Sequence, residues 1–247
     1  MSLSNPKQEN PVTKWIEYSG ETGKLYYYDK EKAEKVFINI PVTFIVLEEM
    51  NTITGFSKSW QSGIYSNEIS DINKEKFHVK TFKGGFNAVG YYKDIKETIV
   101  SQGGHFTKSV YAAIIRNDGS LTETVNIKFK GAGLKGYFDK KVNIYKSALC
   151  LYDNISEKTG KIEYTIPQFK AVGWTKEQFE TALKQEAVLQ EYLKQYKSNQ
   201  IIETDTVTEA VPETSNLVEH FENNILYEEI PEINIKQDTT KGDDLPF

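Results

Sequence analysis

Flat rings and lysines occupy the same short segments of this chain, and together they support one kind of chemistry. The sequence carries 15 Tyr, 13 Phe and 3 Trp. In Phe82-Lys83-Gly84-Gly85-Phe86, two rings flank a Gly-Gly turn beside a cation. Lys80 and Phe82 share one face of a predicted strand, because strand side chains alternate between faces. Trp60 and Tyr65 lie in the stretch 56–65, whose polar composition gives Trp60 few local packing partners. Unpaired nucleic acid asks for both features: cations that follow the phosphates and rings that stack on exposed bases. Trp60 folded back as a loop anchor is the competing reading of that residue.

Alternation over Val125–Lys130 turns Val125, Ile127 and Phe129 inward and leaves Asn126, Lys128 and Lys130 as a short outward cationic ladder. Gly131, Gly133 and Lys135 follow, where the backbone has room to approach a phosphate. An ordinary solvated face accounts for this pattern equally well. Arg116 is the only Arg in the chain. Its planar guanidinium suits stacking or two-point phosphate binding. Its place before the turn Asn117-Asp118-Gly119-Ser120 suits a surface salt bridge just as well. In Tyr26-Tyr27-Tyr28, alternation puts Tyr26 and Tyr28 on one face and Tyr27 on the other, with one of those faces in the core. Trp15 and Trp174 sit among apolar residues and are expected to be structural.

Catalytic patterns are missing. The chain contains no G-x-x-x-x-G-K-[ST] phosphate loop, no H-E-x-x-H and no G-x-S-x-G. Glu48, Glu49 and Asp71 are carboxylates whose spacing selects no metal site. Cys150 is the only cysteine, and His78, His105 and His220 are widely spaced, so neither a disulfide nor a zinc motif emerges. No enzyme activity, cofactor or metal is expected. No apolar run reaches the roughly 20 residues of a membrane helix, and residues 1–10 lack a signal-peptide core. A reducing, cytoplasmic setting without membrane contact is the simplest expectation.

Charge divides the chain in two. Residues 1–200 hold 28 basic and 23 acidic side chains, whereas residues 201–247 hold 2 and 12. Within 74–146 the balance is 14 basic to 6 acidic. A basic body joined to an acidic tail suggests a polyanion-binding surface with a built-in competitor. A solvated Lys-rich surface beside a solubilising tail is the plainer alternative. The acidic stretch finishes in Lys241-Gly242-Asp243-Asp244-Leu245-Pro246-Phe247. A terminal ring after carboxylates has nothing local to pack against. It makes a good docking peptide, the ring filling an apolar pocket and the carboxylates meeting Lys or Arg at its rim.

That tip resembles the Asp-rich, Pro-Phe terminus of bacterial single-stranded DNA-binding proteins, and phage proteins of the same function also end in acidic residues and Phe. The resemblance covers five to seven residues and leaves the body without a shared motif. Two Asp residues precede Leu here, and Leu245 stands where Ile is common in that family. The resemblance implies sequence-independent binding of single-stranded DNA during replication, recombination or repair. It also implies recruitment of partner proteins through Asp243, Asp244, Leu245, Pro246 and Phe247, and a tail that folds back on the cationic groove until DNA displaces it. A phage or replicon origin, with the host bacterial cytoplasm as setting, goes with it. Two other functions stay open: a sliding-clamp or polymerase accessory protein, and a β-rich phage interaction protein whose tail is merely solubilising.

The elements that must position these residues are mostly strands. Segments 12–18, 24–28, 35–40, 42–56, 77–82, 106–116, 121–130, 142–151 and 161–166 read as strands, with a bend near Glu48-Glu49. Residues 91–101 read as a helix ended by Gly103-Gly104, and 132–140 as a short second one. Thr175 and Gln178 form a predicted capping box for a helix over 175–197. Its stripe is Phe179, Ala182, Leu183, Leu189, Tyr192, Leu193 and Tyr196. The expected architecture is mainly β with a few helices. It comprises a disordered N-terminus (1–10) and an OB-like β-barrel with insertions (11–174). An amphipathic helix (175–198) packs on that body, and an acidic, mostly disordered docking tail (199–247) follows. A short helix with Leu217, Val218, Phe221 and Ile225 on one face is a further expectation within the tail. A monomer or homodimer is expected. The candidate DNA contacts are Trp60, Tyr65, Lys80, Phe82, Lys83, Phe86, Arg116, Lys128, Lys130 and Lys135.

Overall fold

Alternating β-branched and aromatic residues build most of this molecule. The computed structural model describes residues 9–205, with side chains described through residue 198. The tip 243–247, the segment 216–227 and most of the tail lie outside the described residues, as do residues 1–8. The strands are β1 (Lys14–Ser19), β2 (Lys24–Asp29), β3 (Glu34–Ile38), β4 (Val42–Ser57), β5 (Ser62–Ser66) and β6 (Phe77–Thr81), followed by β7 (Asn87–Gly90), β8 (Gly104–Ile114), β9 (Val125–Lys130), β10 (Ala148–Thr159) and β11 (Ile162–Val172). The helices are α1 (Tyr92–Ser101), α2 (Gly131–Phe138) and α3 (Lys176–Asp205).

All strands join one mixed sheet in the order β3-β2-β1-β9-β8-β4-β5-β6-β7. The hairpin β10-β11 branches from β4, where Val42, Thr43 and Phe44 pair with Leu151, Cys150 and Leu149. Among the described residues, only β1 and β9 pair in parallel. The sheet is open, with β3 and β7 at the ends of the path, so a closed barrel is not formed. The chain spends its backbone bonds on a long β4 with different partners along one edge: β10 near Phe44 and β5 from Thr54 onward. A bulge at Leu47, between Val46 and Glu48, breaks the alternation of β4 and accounts for the bend expected near Glu48-Glu49.

Three apolar clusters organise the two faces. Ile16, Leu25, Phe44, Val110, Ile127, Phe129 and Leu149 turn to the inner face and form the largest, closed off by Tyr137 of α2. Further along that same face, Ile53, Ile64, Phe77 and Val79 pack with Ile99 of α1. The third lies on the outer face, where α3 sets Ala182, Leu189 and Leu193 on Ile45, Leu47, Met50 and Tyr111. Both bonds of the expected capping box are present: Thr175 N donates to Gln178 Oε1 at 2.9 Å, and Gln178 N to Thr175 Oγ1 at 3.2 Å. Phe179 and Leu183 stay largely exposed, so the buried stripe is narrower than the sequence pattern.

Several boundaries differ from the sequence expectation. The strand expected over 142–151 begins at Ala148 and continues to Thr159, because residues 143–147 close a turn on Asn143. Strands β5 and β7 were not expected. Gly63 and Gly90 give them little intrinsic strand preference, and pairing to β4 and β6 supplies what propensity lacks.

Candidate nucleic-acid interface

The register of the strands brings residues from distant segments into rows on the outer face. Phe37, Tyr26, Glu17, Lys128 and Ser109 stand opposite one another across β3, β2, β1, β9 and β8. One step along, Lys130 is opposite Thr107 and Thr52. Beyond it His105, Thr54, Tyr65 and Lys80 continue the face through β8, β4, β5 and β6. Their immediate neighbours, such as Ile16, Leu25, Ile127 and Val110, point the other way. The end of the face carrying Tyr111 and Met50 is covered by α3. Beyond it, rings and cations stand on either side of a buried polar stretch that includes Ser109, Thr107 and Thr52.

Tyr65, Lys80 and Phe82 come together as the candidate pattern requires. Tyr65 pairs with Lys80 across the strands, and its ring stacks on Phe82 with centroids 4.5 Å apart and planes 13° apart. Lys80 and Lys83 are exposed. Trp60 is at once exposed and anchored. It is 47% exposed, yet its indole lies across Gly85, where an added Cβ would come within 2.3 Å of the ring. Gly85 has φ +95°, so both the close approach and the backbone favour glycine there. Phe86 turns inward and packs on the α1 cluster.

The ladder on β9 is corrected. Asn126 and Lys128 do face away from the main core, but neither meets solvent, Lys128 being only 5% exposed. The carboxylate of Glu68, from the β5–β6 connection, accepts bonds from Ser109 and Tyr111 over this part of the face, and the Tyr196 hydroxyl of α3 accepts from the Glu68 N–H at 3.2 Å. Asn126 is held between these groups by its bonds to Ser109. Lys130 remains at the surface, 3.0 Å from Glu17, which also accepts from the Tyr26 hydroxyl at 3.0 Å. Lys135 is elsewhere, paired with Glu157 at 2.8 Å. Gly133 packs under Tyr18 rather than offering backbone to a ligand. Arg116 pins its own turn, donating from Nη1 to the Leu121 carbonyl at 3.1 Å and to Ser120 Oγ at 3.4 Å.

Sequence inspection missed Tyr26, Lys35, Phe37 and His105 as members of this face. Phe37 and Tyr26 are 5.8 Å apart, and the Lys35 ammonium sits 4.9 Å over the Tyr26 ring. The Tyr-Tyr-Tyr alternation was the available signal. It could not say which of its two faces is buried.

Local charge shapes the titration of the face. Burial pushes the Glu17 carboxyl up, but Lys130, Lys128 and the Tyr26 hydroxyl together outweigh it and leave the group below the usual carboxylate range. Desolvation, and then the Lys130 charge, hold the His105 imidazole below its usual range. Burial lowers Lys128 to about 8 from an ordinary 10.5, with Glu68 and Glu17 opposing the shift. A lysine whose folded pKa is depressed destabilises the fold wherever it must be charged. That cost is full below pH 8 and fades as pH rises to 10.5. Lys108 and Lys140 are shifted in the same direction. Stability measured by urea denaturation should therefore rise by about 2 kcal/mol between pH 8 and 9.5. The rise should shrink in Lys128→Gln. A flat profile in the wild type would contradict the burial of Lys128 as a cation.

No protein-family model, curated protein or solved structure matches this chain. Among the described residues, no helix is long and apolar enough to cross a membrane. The functional reading therefore rests on the geometry and charge of the chain itself.

Proposed function

We propose that this chain is a sequence-independent single-stranded DNA-binding protein whose acidic C-terminal tip recruits replication, recombination or repair proteins. One observation carries the reading. The outer face beyond α3 carries Tyr26 and Phe37 with Lys35 and Lys130 at one end, and Tyr65 and Phe82 with Lys80 at the other. Rings and cations interleaved along a groove bind unpaired strands without reading sequence, since every base has a flat face. The acidic excess of residues 201–247 adds an internal competitor for that surface.

Support for an OB-like body comes from strand order. The OB-fold is a five-stranded, partly open barrel that binds oligonucleotides on its strand 2–3 face and flanking loops. Here β4 pairs with both β8 and β10, β8 continues to β9, β10 continues to β11, and α2 falls between the two groups. All five strands fill one cluster. Between β9 and β11 stands β1, which pairs with β9, and the Gly20 carbonyl after β1 accepts a bond from Thr165 N of β11 at 2.7 Å. In this correspondence Lys130 lies on the third strand, β9, and Trp60, Tyr65, Lys80 and Phe82 all lie in the connection between the first two strands.

Tryptophan emission titrated with oligo(dT) at two salt concentrations tests the proposal. Phosphate contacts from Lys35, Lys80 and Lys130 predict a log–log slope near −2, so affinity should fall roughly 20-fold from 50 to 200 mM salt. Removing residues 238–247 should leave DNA affinity unchanged or higher. Duplex DNA that competes equally well would refute single-strand preference.

A further inference from the structure

A cavity lies beside the Tyr26–Phe37 end of the outer face, where two neighbouring strands part. β1 and β2 pair only over Glu17–Ser19 and Lys24–Tyr26. Beyond that point β1 stays with β9 from Lys14 onward, while β2 stays with β3 as far as Asp29. The parted edges bound a cavity of about 330 Å³, lined by residues 13–15 from one side and 27–31 from the other. That volume falls at the lower end of the range for small-molecule sites. Thr13 N donates to the Thr124 carbonyl, on the β9 side, at 3.0 Å. Backbone groups alternate between the two edges of a strand, so the peptide N–H and C=O of Lys14 turn the other way, toward β2.

Rings wall the cavity, and its charges cancel. Trp15 and Tyr28 are the next outward residues along from Glu17 and Tyr26, and both line it. Trp15 is held by packing against the apolar cluster under α3. Tyr28 stands opposite Lys35, whose ammonium lies over the Tyr26 ring, so the cavity adjoins the ring-and-lysine set already described. Tyr27 turns inward, with the Lys14 ammonium 4.5 Å from its ring centroid. The charged lining is Lys14 and Lys30 against Asp29 and Glu31. Asp29 is committed to its own turn, accepting from Glu31 N at 3.0 Å and Lys32 N at 3.3 Å. Outside the lining, Lys32 at 3.9 Å and Glu34 directly opposite on β3 both flank Asp29 and leave the balance unchanged. Such a rim gives a phosphate no net attraction. It suits a neutral, flat group whose edge forms hydrogen bonds.

We propose that this cavity is a base pocket, which takes one unpaired nucleobase of a bound strand against Trp15 and Tyr28, with its polar edge toward the parted backbone of β1 and β2. The pocket deepens the single-stranded DNA reading and rests on it. Tyr26 and Phe37 meet bases along the strand, and the pocket draws one base out of that path. An unzipped strand edge presents N–H and C=O groups in a row, and a base edge offers acceptors and donors to match them. A ring already packed in place loses little freedom when a base stacks on it.

Photocrosslinking of the full-length protein with oligo(dT) carrying 5-iodouracil, read by mass spectrometry, tests it, with labels expected on Trp15 or Tyr28. Tyr28→Ala should lower oligo(dT) affinity about 10-fold. The salt slope should not change, because the pocket adds no phosphate contact. Thr13→Trp fills the cavity from an exposed position without removing a packed side chain, and it should have the same effect. Neither variant should alter the binding of an abasic oligonucleotide, which has no base to insert. Labels absent from both Trp15 and Tyr28, or folded variants that both stay within about twofold of wild-type affinity, overturn the pocket and leave the proposed function standing. Wild-type protein that binds no oligo(dT) overturns both.

Discussion

Tyr65→Ala combined with Lys80→Ala is expected to weaken oligo(dT) binding by about 100-fold at moderate salt. Base–aromatic stacking is worth about 1–3 kcal/mol per base. Tyr65 is stacked on Phe82 at 4.5 Å, so its loss also leaves the second ring without its neighbour. Lys80, directly opposite Tyr65 on β6, adds one phosphate contact, whose removal should reduce the salt slope by roughly 0.7. Both side chains project from the outer face away from α3, and the apolar cluster behind β5 and β6 lies on the inner face, so the melting temperature should hold. Unchanged affinity in the folded double variant would remove the outer face from the DNA path.

The largest effect on folding is expected at Gly55. This residue pairs with Gly104 where β8 begins. A Cβ added there would sit 2.1 Å from the Gly103 carbonyl oxygen and 2.8 Å from Gly104 Cα. These are backbone atoms, which cannot rotate away. Gly103 is equally constrained, with φ +87° and space for a Cβ only 2.3 Å from the Phe56 oxygen. Phe56 N donates to that same Gly103 carbonyl at 3.3 Å. Gly55→Val must separate β4 from the end of α1 and lose this bond. Overpacking costs typically 1–3 kcal/mol, and a backbone clash belongs at the upper end. A melting temperature lower by about 10 °C is expected for a chain of this size. A loss under about 2 °C would mean that the crossing is looser than these distances imply.

Legibility followed the range of the interactions. The alternation of Phe77, Val79 and Thr81, the helix ended at Gly103-Gly104 and the Thr175–Gln178 cap are set by neighbours a few residues away, and each is present. The pairing of Tyr65 with Lys80 was legible only as two aromatic and basic segments close in sequence. Their joining needed β5, whose glycine and serines give little signal. Lys128 shows the limit most clearly. Period-two alternation assigned it to the outer face, and it is there. Whether that face meets water depended on Glu68 and on Tyr196 of α3, which lie 60 and 68 residues away in the chain.

From the sequence alone came the β-rich body, the long helix, the excess of rings and lysines in the body, and the acidic excess after residue 200. Composition, periodicity and capping are local properties, so a linear reading suffices for them. Tertiary structure decided that β1 slots in parallel beside β9, that the sheet stays open, and which lysines surface. Each of these depends on hydrogen bonds and desolvation between segments far apart in the chain. A residue's own neighbours in sequence carry no record of what will be laid over it.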